Sequence, residues 1–197
     1  ASGGLLVIPN RLLFEELLHL EKRFEKRRIV YLIEKSLDYD PLLQAHLEKD
    51  DVEAIEFSAN DALLEAFKKQ VHHTIEDDAV LVFVPGEVLS KAGQHQTIPT
   101  RILKYLMQSR APVLPLHVDR PVETCLSIEN VREIDRIVLS FGKLLDREAV
   151  TLANYQEGLM LAGEEAFSRR PILKTHLAWA LLRGLKKHGA TDRVIDG

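Results

Sequence analysis

Val80-Leu81-Val82-Phe83-Val84 is an unbroken apolar run closed by Pro85-Gly86. Its β-branched and aromatic residues suit a strand, and it is far shorter than the ~20 apolar residues a membrane-crossing helix needs. No polar residue alternates within it, so neither side of the strand can face water. Strands of that kind lie inside parallel sheets covered by helices. A chain holding such a run must supply parallel partner strands through helical crossovers.

The rest of the sequence supplies them. Leu5-Leu6-Val7-Ile8 follows Gly3-Gly4 and stops at Pro9-Asn10, which predicts a buried strand. Leu12 to Arg27 has helical spacing, with Leu13, Leu17, Leu20 and Phe24 on one face. Ile29 to Ile33 predicts a second strand. Asp40-Pro41 predicts a helix start, running to about Lys49. Val52 to Phe57 is a weaker strand, and Ser58 or Asn60 can cap a helix carrying Leu63, Leu64, Phe67 and Val71. After Val84 come a polar loop, Ser90 to Gln96, a helix from Thr97 or Thr100 through Gln108, and strands at Pro112 to Val118 and Ile137 to Phe141. Asn154 to Phe167 is helical, and Ser168 caps a last helix with Ile172, His176, Trp179, Leu182 and Leu185 at helical spacing. The alternation predicts an α/β fold with a mostly parallel central sheet covered by helices on both faces. After about Asp146 strands give way to helices. The expected division is therefore an α/β domain over 1–150 and a helical extension or connector over 151–197.

Composition narrows the function classes. The 197 residues carry 26 Lys and Arg against 30 Asp and Glu, a formal net charge of -4. That lacks the overall basic footprint of a nucleic-acid binder, so no nucleic-acid partner is expected. Cys125 is the one cysteine, which excludes an internal disulfide and every multi-cysteine metal motif. A reducing compartment is the simplest reading. No segment has the form of a membrane span or a secretory signal. The chain opens almost directly in a strand and ends in Arg193-Val194-Ile195-Asp196-Gly197, so both ends read as cuts from a longer polypeptide.

Common catalytic motifs are missing. Gly86 to Gly93 is glycine-containing but lacks the Gly-Lys-Ser/Thr ending that cradles phosphate in a P-loop. There is no Gly-x-Gly-x-x-Gly after a strand and no Gly-x-Ser-x-Gly elbow. His72 and His73 are adjacent, so on a helix they point about 100° apart and do not share a metal. Glu21 to Arg28 is a charge run, read first as a solvated helix face and second as a patch for acidic lipid headgroups.

The order of segments resembles the glycerophospholipid acyltransferase family, the PlsC-type domain. The residues that carry the resemblance are Pro9-Asn10-Arg11-Leu12-Leu13-Phe14-Glu15-Glu16 after the first strand, Val84-Pro85-Gly86-Glu87-Val88 after the central strand, Gly93 eight residues beyond Pro85, and Val113-Leu114-Pro115-Leu116. The likeness covers roughly residues 3 to 150. It is nearest the form fused between a lysophospholipid transporter and an acyl-ACP synthetase, as in proteins similar to 2-acylglycerophosphoethanolamine acyltransferase. The resemblance implies a glycerol-3-phosphate acyltransferase-like fold and no cofactor. It implies acyl-ACP or acyl-CoA and a lysophospholipid as partners, with transporter and adenylating domains as neighbours. It also implies a place at the cytoplasmic face of the membrane, with the isolated domain soluble.

The family's chemistry is altered at each motif. The family places a His general base where Arg11 stands and the Asp that orients it where Glu16 stands. A guanidinium stays protonated and cannot take a proton from an acceptor hydroxyl. The family's Pro-Glu-Gly turn is here Pro85-Gly86-Glu87, with Val88 in place of a basic residue, so Glu87 brings a negative charge where the resemblance implies a phosphate. The basic second motif is unrecognisable around Phe57-Ser58-Ala59-Asn60. Pro85, Gly86, Glu87 and Gly93 remain the implied substrate-binding positions. Arg11 and Glu16 could pair across the helix start as a structural contact. His19, four residues after Glu15, is an alternative base, but it sits about 12 Å along the helix from Arg11; His95 and His117 are further candidates. The leading expectation is a degenerate acyltransferase-like domain with a binding or scaffolding role in a larger lipid-metabolism protein. The alternative is an active acyltransferase, moving an acyl chain from acyl-ACP to a lysophospholipid, with relocated catalytic residues.

Overall fold

Strand β4 (Val80–Val84) runs through the middle of the sheet, and all of its residues are buried. The protein is represented by a computed structural model that describes residues 3–86, 98–119 and 137–168. Parallel to β4, on its two sides, lie β1 (Leu5–Pro9) and β2 (Ile29–Glu34), with Leu6 opposite Leu81 and Leu32 opposite Phe83. Beyond β2 lies β3 (Ala54–Phe57), and beyond β1 lies β5 (Val113–Asp119), both parallel. Antiparallel β6 (Val138–Phe141) closes the edge, giving the order β3-β2-β4-β1-β5-β6. The apolar runs at residues 5, 29, 80 and 113 are thus the four central strands of a six-stranded, mostly parallel sheet.

Helices make the crossovers that parallel pairing requires. They are α1 (Phe14–Arg23) between β1 and β2, α2 (Pro41–Leu47) between β2 and β3, α3 (Leu64–Glu76) between β3 and β4, and α4 (Thr100–Met107) between β4 and β5. A last described helix, α5 (Leu152–Ser168), follows β6. Buried side chains alternate along the strands between two clusters, as a period of two demands. Leu6, Ile8, Leu32, Leu81 and Phe83 pack with Phe67 and Val71 of α3 and Ile102 and Leu106 of α4. Val7, Tyr31, Val80, Val82 and Val84 pack with Leu17 and Leu20 of α1 and Leu43 and Leu47 of α2.

Local chemistry sets the helix ends. Asp40 Oδ2 accepts the Leu43 N–H at 3.0 Å and Pro41 takes the first helical position, as the sequence predicts. Asn60 caps a 3₁₀ turn at Asp61–Leu63, accepting from Ala62 N–H at 3.0 Å, before α3 begins. Helix α1 is shorter than the apolar spacing predicts, ending at Arg23. The residues after it are drawn away: Arg27 Nη2 donates to Gly3 O at 2.8 Å and Asp78 O at 2.7 Å, and Arg28 pairs with Glu53. Within the Glu21 to Arg28 charge run, Lys22, Arg23, Glu25 and Lys26 are exposed, as a solvated face requires, while Arg27 and Arg28 tie the start of β2 to its neighbours.

Helix α5 lies close on β5 because its near residues are glycines. A Cβ at Gly158 would come 3.1 Å from Pro115 Cγ, and one at Gly163 would come 3.0 Å from His117 Cε1. Tyr155, 1% exposed, donates its hydroxyl hydrogen to Ile8 O at 3.4 Å. The sheet's core therefore runs through α5, beyond residue 150. Among the described residues no helix is long and apolar enough to cross a membrane. Ser168, expected to cap a further helix, is the last residue of α5. The Ser90 to Gln96 loop, Cys125 and the helix expected beyond Ser168, with Trp179, lie outside the described residues.

The two kinds of leucine give a direct check on this core. Leu81→Ala, at a site with no exposure, is expected to cost about 2–5 kcal/mol in urea unfolding. Leu42→Ala, at a site 65% exposed, is expected to stay within about 0.5 kcal/mol. Equal losses would contradict the assignment of β4 to the centre.

Candidate functional site

Parallel strands bring their carboxyl ends to one edge of the sheet, and in open α/β sheets that edge is where sites form. Here β1 and β4 are neighbours, and their connections lead to helices that pack in different core clusters, α1 and α4. The edge between them gathers Asn10 and Arg11 after β1, Glu34 at the end of β2, and Pro85 and Gly86 after β4.

Asn10 prolongs β1 towards β5. Its N–H donates to Leu116 O at 3.0 Å, its Oδ1 accepts from Val118 N–H at 2.7 Å, and its Nδ2 donates to Val118 O at 3.2 Å. Arg11 and Glu16 come together: Arg11 Nη2 lies 3.2 Å from Glu16 Oε1. Glu16 is fully buried in the first turn of α1, and its Oε2 accepts the Leu13 N–H at 2.8 Å. That turn offers unpaired N–H groups and the positive end of the helix dipole, so a carboxylate is favoured there. Leu13, just before α1, has no side-chain oxygen to cap the helix, and Glu16 supplies that cap from inside. Arg11 Nε is buried and without a hydrogen-bond partner among the described residues. In a His–Asp pair, the carboxylate holds an imidazole whose second nitrogen takes the proton. The pair here holds a guanidinium, which has no lone pair to offer.

Pro85 and Gly86 follow β4 at the same edge. A Cβ at Gly86 would come 2.5 Å from both Asp38 O and Leu37 Cβ. The turn after β4 is thus packed against the chain that leaves β2, and Gly86 is demanded by that packing. That chain is itself fixed by Glu34, which is fully buried. Glu34 Oε2 accepts from Ser36 N–H at 2.8 Å and from the Ser36 hydroxyl, and its Oε1 accepts from Ala59 N–H at 3.1 Å. Tyr39 reaches back, its hydroxyl donating to Glu34 O and accepting from Glu34 N–H, both at 2.9 Å. Burial pushes the Tyr39 phenol pKa up, so it stays protonated at neutral pH. Glu87, Gly93 and His95 lie outside the described residues.

The histidines fall elsewhere. His19 and Glu15 are on the exposed side of α1. His117 lies in β5 with its ring against Gly163 of α5. Its neighbours Leu116 and Val118 alternate into the cluster that contains α1 and α2. Neither histidine is brought to Arg11 and Glu16 by any contact described. Sequence reasoning missed His46, which is 8% exposed. Its Nε2 lies 2.9 Å from Glu21 Oε1, the oxygen that also accepts from Tyr31 OH at 2.6 Å, and Lys49 Nζ lies 3.3 Å from Nδ1. An ammonium only donates, so Nδ1 accepts and Nε2 carries the hydrogen to Glu21. Burial and the Glu21 bond push the Tyr31 phenol pKa up. The available signal was His46 sitting three residues after Leu43 and next to Leu47, within the apolar stripe of α2. Glu34 carried a weaker signal, a lone carboxylate ending an apolar strand.

Among the described residues, no group of three or more His, Cys, Asp or Glu is placed to hold a metal ion. No model of a known protein family matches the chain, and no curated protein does. The packing at Gly86 can be checked alone. Gly86→Ala is expected to lower unfolding stability by about 1–3 kcal/mol, because the neighbours are backbone and Cβ atoms. An unchanged denaturation midpoint would contradict the close approach of Gly86 to Leu37 and Asp38.

Proposed function

We propose that this chain is an acyltransferase-like domain of the glycerophospholipid type that has lost proton-transfer chemistry and serves a binding or scaffolding role in a larger lipid-metabolism protein. In this reading the sheet lies between two helix layers in the glycerol-3-phosphate acyltransferase manner, a reading supported by the division of the core into an α1–α2 cluster and an α3–α4 cluster. The observation that carries the proposal is the Arg11–Glu16 pair at the carboxyl end of β1. It occupies the positions where the resemblance places a base and its orienting acid. Both Glu16 oxygens face inward, one to Arg11 and one to the Leu13 N–H, so Glu16 has no free access to a substrate hydroxyl. The Pro85-Gly86 turn, packed on Leu37 and Asp38, further supports a structural use of this edge.

The partners proposed on the same ground are acyl-ACP or acyl-CoA and a lysophospholipid, held without being turned over, and neighbouring transporter and adenylating domains. The proposed place of work is the cytoplasmic face of the membrane. No observation favours the relocated-base alternative, since His19 is exposed on α1 and His117 lies against α5.

An acyl-transfer assay separates the two. The chain, mixed with acyl-ACP or acyl-CoA and a lysophospholipid, is expected to give no turnover above the enzyme-free background. Loss of a general base alone costs about 10²- to 10⁴-fold. Turnover that disappears in His19→Ala or His117→Ala would overturn the proposal in favour of a relocated base.

A further inference from the structure

A second polar site lies away from Arg11 and Glu16. A cleft of about 510 Å³ opens between the chain after β3 and the outer face of α4, lined by Ser58, Asn60, Asp61, Arg101, Lys104 and Tyr105 among others. Its volume is that of a small-molecule site, which usually spans about 300–1,000 Å³. Its walls are polar, which suits a hydroxylated ligand rather than an acyl chain.

The charges in the cleft are unbalanced. Arg101 and Lys104 are three residues apart on α4 and so share a face. Among the described residues neither has a carboxylate partner. Some cations of the chain are paired, Lys35, Lys68, Arg27 and Arg28 with Glu56, Glu65, Asp78 and Glu53; what sets Arg101 and Lys104 apart is that both line one cleft. Among the described residues Asp61 is the only carboxylate lining the cleft, so two cations face one anion there, in a chain of net charge -4.

The floor of the cleft holds a polar group in want of a partner. Tyr105 is 4% exposed, and its hydroxyl oxygen is buried with no hydrogen bond among the described residues. Buried hydroxyls are rarely left in that state. The ring does not drift: it stacks on Phe57 at 5.6 Å and 4°, and meets Phe67 at 5.0 Å. Burial, with the Asp61 charge nearby, pushes its pKa up, so it remains a donor. Asn60 uses its oxygen on the Ala62 N–H, which leaves its amide nitrogen to a ligand.

We propose that this cleft binds a hydroxyl-bearing phosphate ester, with Arg101 and Lys104 taking the phosphate and Tyr105, Asn60 and Asp61 taking hydroxyls of the body. The cleft adjoins the β1–β4 edge, since Ala59 lines it and donates its N–H to Glu34, but the proposal rests on Arg101, Lys104 and Tyr105, which the acyltransferase-like reading does not use. Phosphate sits at the α4 side, away from Asp61, whose carboxylate accepts from hydroxyls and disfavours an anion beside it. A bare phosphate would leave most of the cleft unfilled.

Titration of the full chain followed by calorimetry and backbone amide shifts tests this, with ribose 5-phosphate, inorganic phosphate and ribose as probes. Ribose 5-phosphate is expected to bind saturably and more tightly than phosphate, shifting amides at residues 58–61 and 101–108, while ribose does not bind. Arg101→Ala/Lys104→Ala is expected to weaken it about tenfold or more, equivalent to about 1.4 kcal/mol or more. Tyr105→Phe, which keeps the ring stack, is expected to weaken it several-fold. Asp61→Asn is expected to narrow the preference for ribose 5-phosphate over phosphate. Vesicles containing phosphatidic acid distinguish the source of the ester: vesicle binding lost in Tyr105→Phe and in the double variant assigns the phosphate to a lipid headgroup. Absence of saturable binding to every probe, binding of ribose as tight as ribose 5-phosphate, or affinity unchanged in the double variant would overturn the proposal. Vesicle binding indifferent to Tyr105→Phe, with no binding of ribose 5-phosphate, would also overturn it.

Discussion

Burial of β4 on both sides is the constraint from which the rest of the architecture follows. Val80 to Val84 have no exposure at all, and a strand with no wet side must also bury its backbone polar groups. Each N–H and C=O then needs a partner on an adjacent strand. β1 and β2 provide those partners, and both run parallel to β4. Parallel pairing forces long crossovers, which α1, α2, α3 and α4 make. The alternating side chains of the strands divide the apolar contacts into two clusters, each completed by two of those crossover helices.

The same constraint gathers the strand ends and makes them polar. Backbone groups that leave the sheet need new partners, and in this chain the side chains of Asn10, Glu16, Glu34 and Tyr39 provide them. Each stands where a reacting group could stand in an α/β enzyme. Asn10, Glu34 and Tyr39 direct their hydrogen bonds at the backbone or a fixed neighbour, while Glu16 gives one oxygen to the Leu13 N–H and keeps the other buried in ion-pair range of Arg11, without a hydrogen bond among the described residues. Arg11 belongs to this set through Glu16. The edge is thereby built as a clasp joining β1 to β5 and the β2 exit to β4. The cleft beside α4 differs in kind: among the described residues its two cations have no carboxylate partner and the Tyr105 hydroxyl has no hydrogen bond.

The centre of the sheet was legible because β1, β2 and β4 are built on uninterrupted apolar runs and β5 is broken only by His117 before Val118. Leu5 to Ile8, Ile29 to Ile33, Val80 to Val84 and Val113 to Val118 needed no long-range information to be read as buried strands. Helix limits were less legible. Leu12 to Arg27 keeps helical spacing, yet α1 stops at Arg23, because Arg27 is required at Gly3 and Asp78, far away in sequence. The division at residue 150 rested on a change of element type, which cannot show that α5 docks on β5 through Gly158 and Gly163. At the site, pairing of Arg11 with Glu16 was legible from their spacing across a helix start. His46, Glu34 and Tyr105 were not, since a buried polar residue is recognised by partners that only the fold brings near. Asn60 was read as a cap, which it is, but nothing local places it opposite Arg101 and Lys104.

The central claim is that Arg11 and Glu16 act on each other, and not on a substrate. A double-mutant cycle on unfolding stability measures this most directly, using Arg11→Met, Glu16→Gln and the pair together. Glu16 is buried and Arg11 is partly exposed, so removing Arg11 leaves a buried carboxylate uncompensated, while removing both charges relieves that penalty. The structure predicts a coupling energy of about 1–3 kcal/mol, with the double variant more stable than the sum of the single losses implies. A coupling energy indistinguishable from zero would contradict it, leaving Arg11 and Glu16 energetically free for another role.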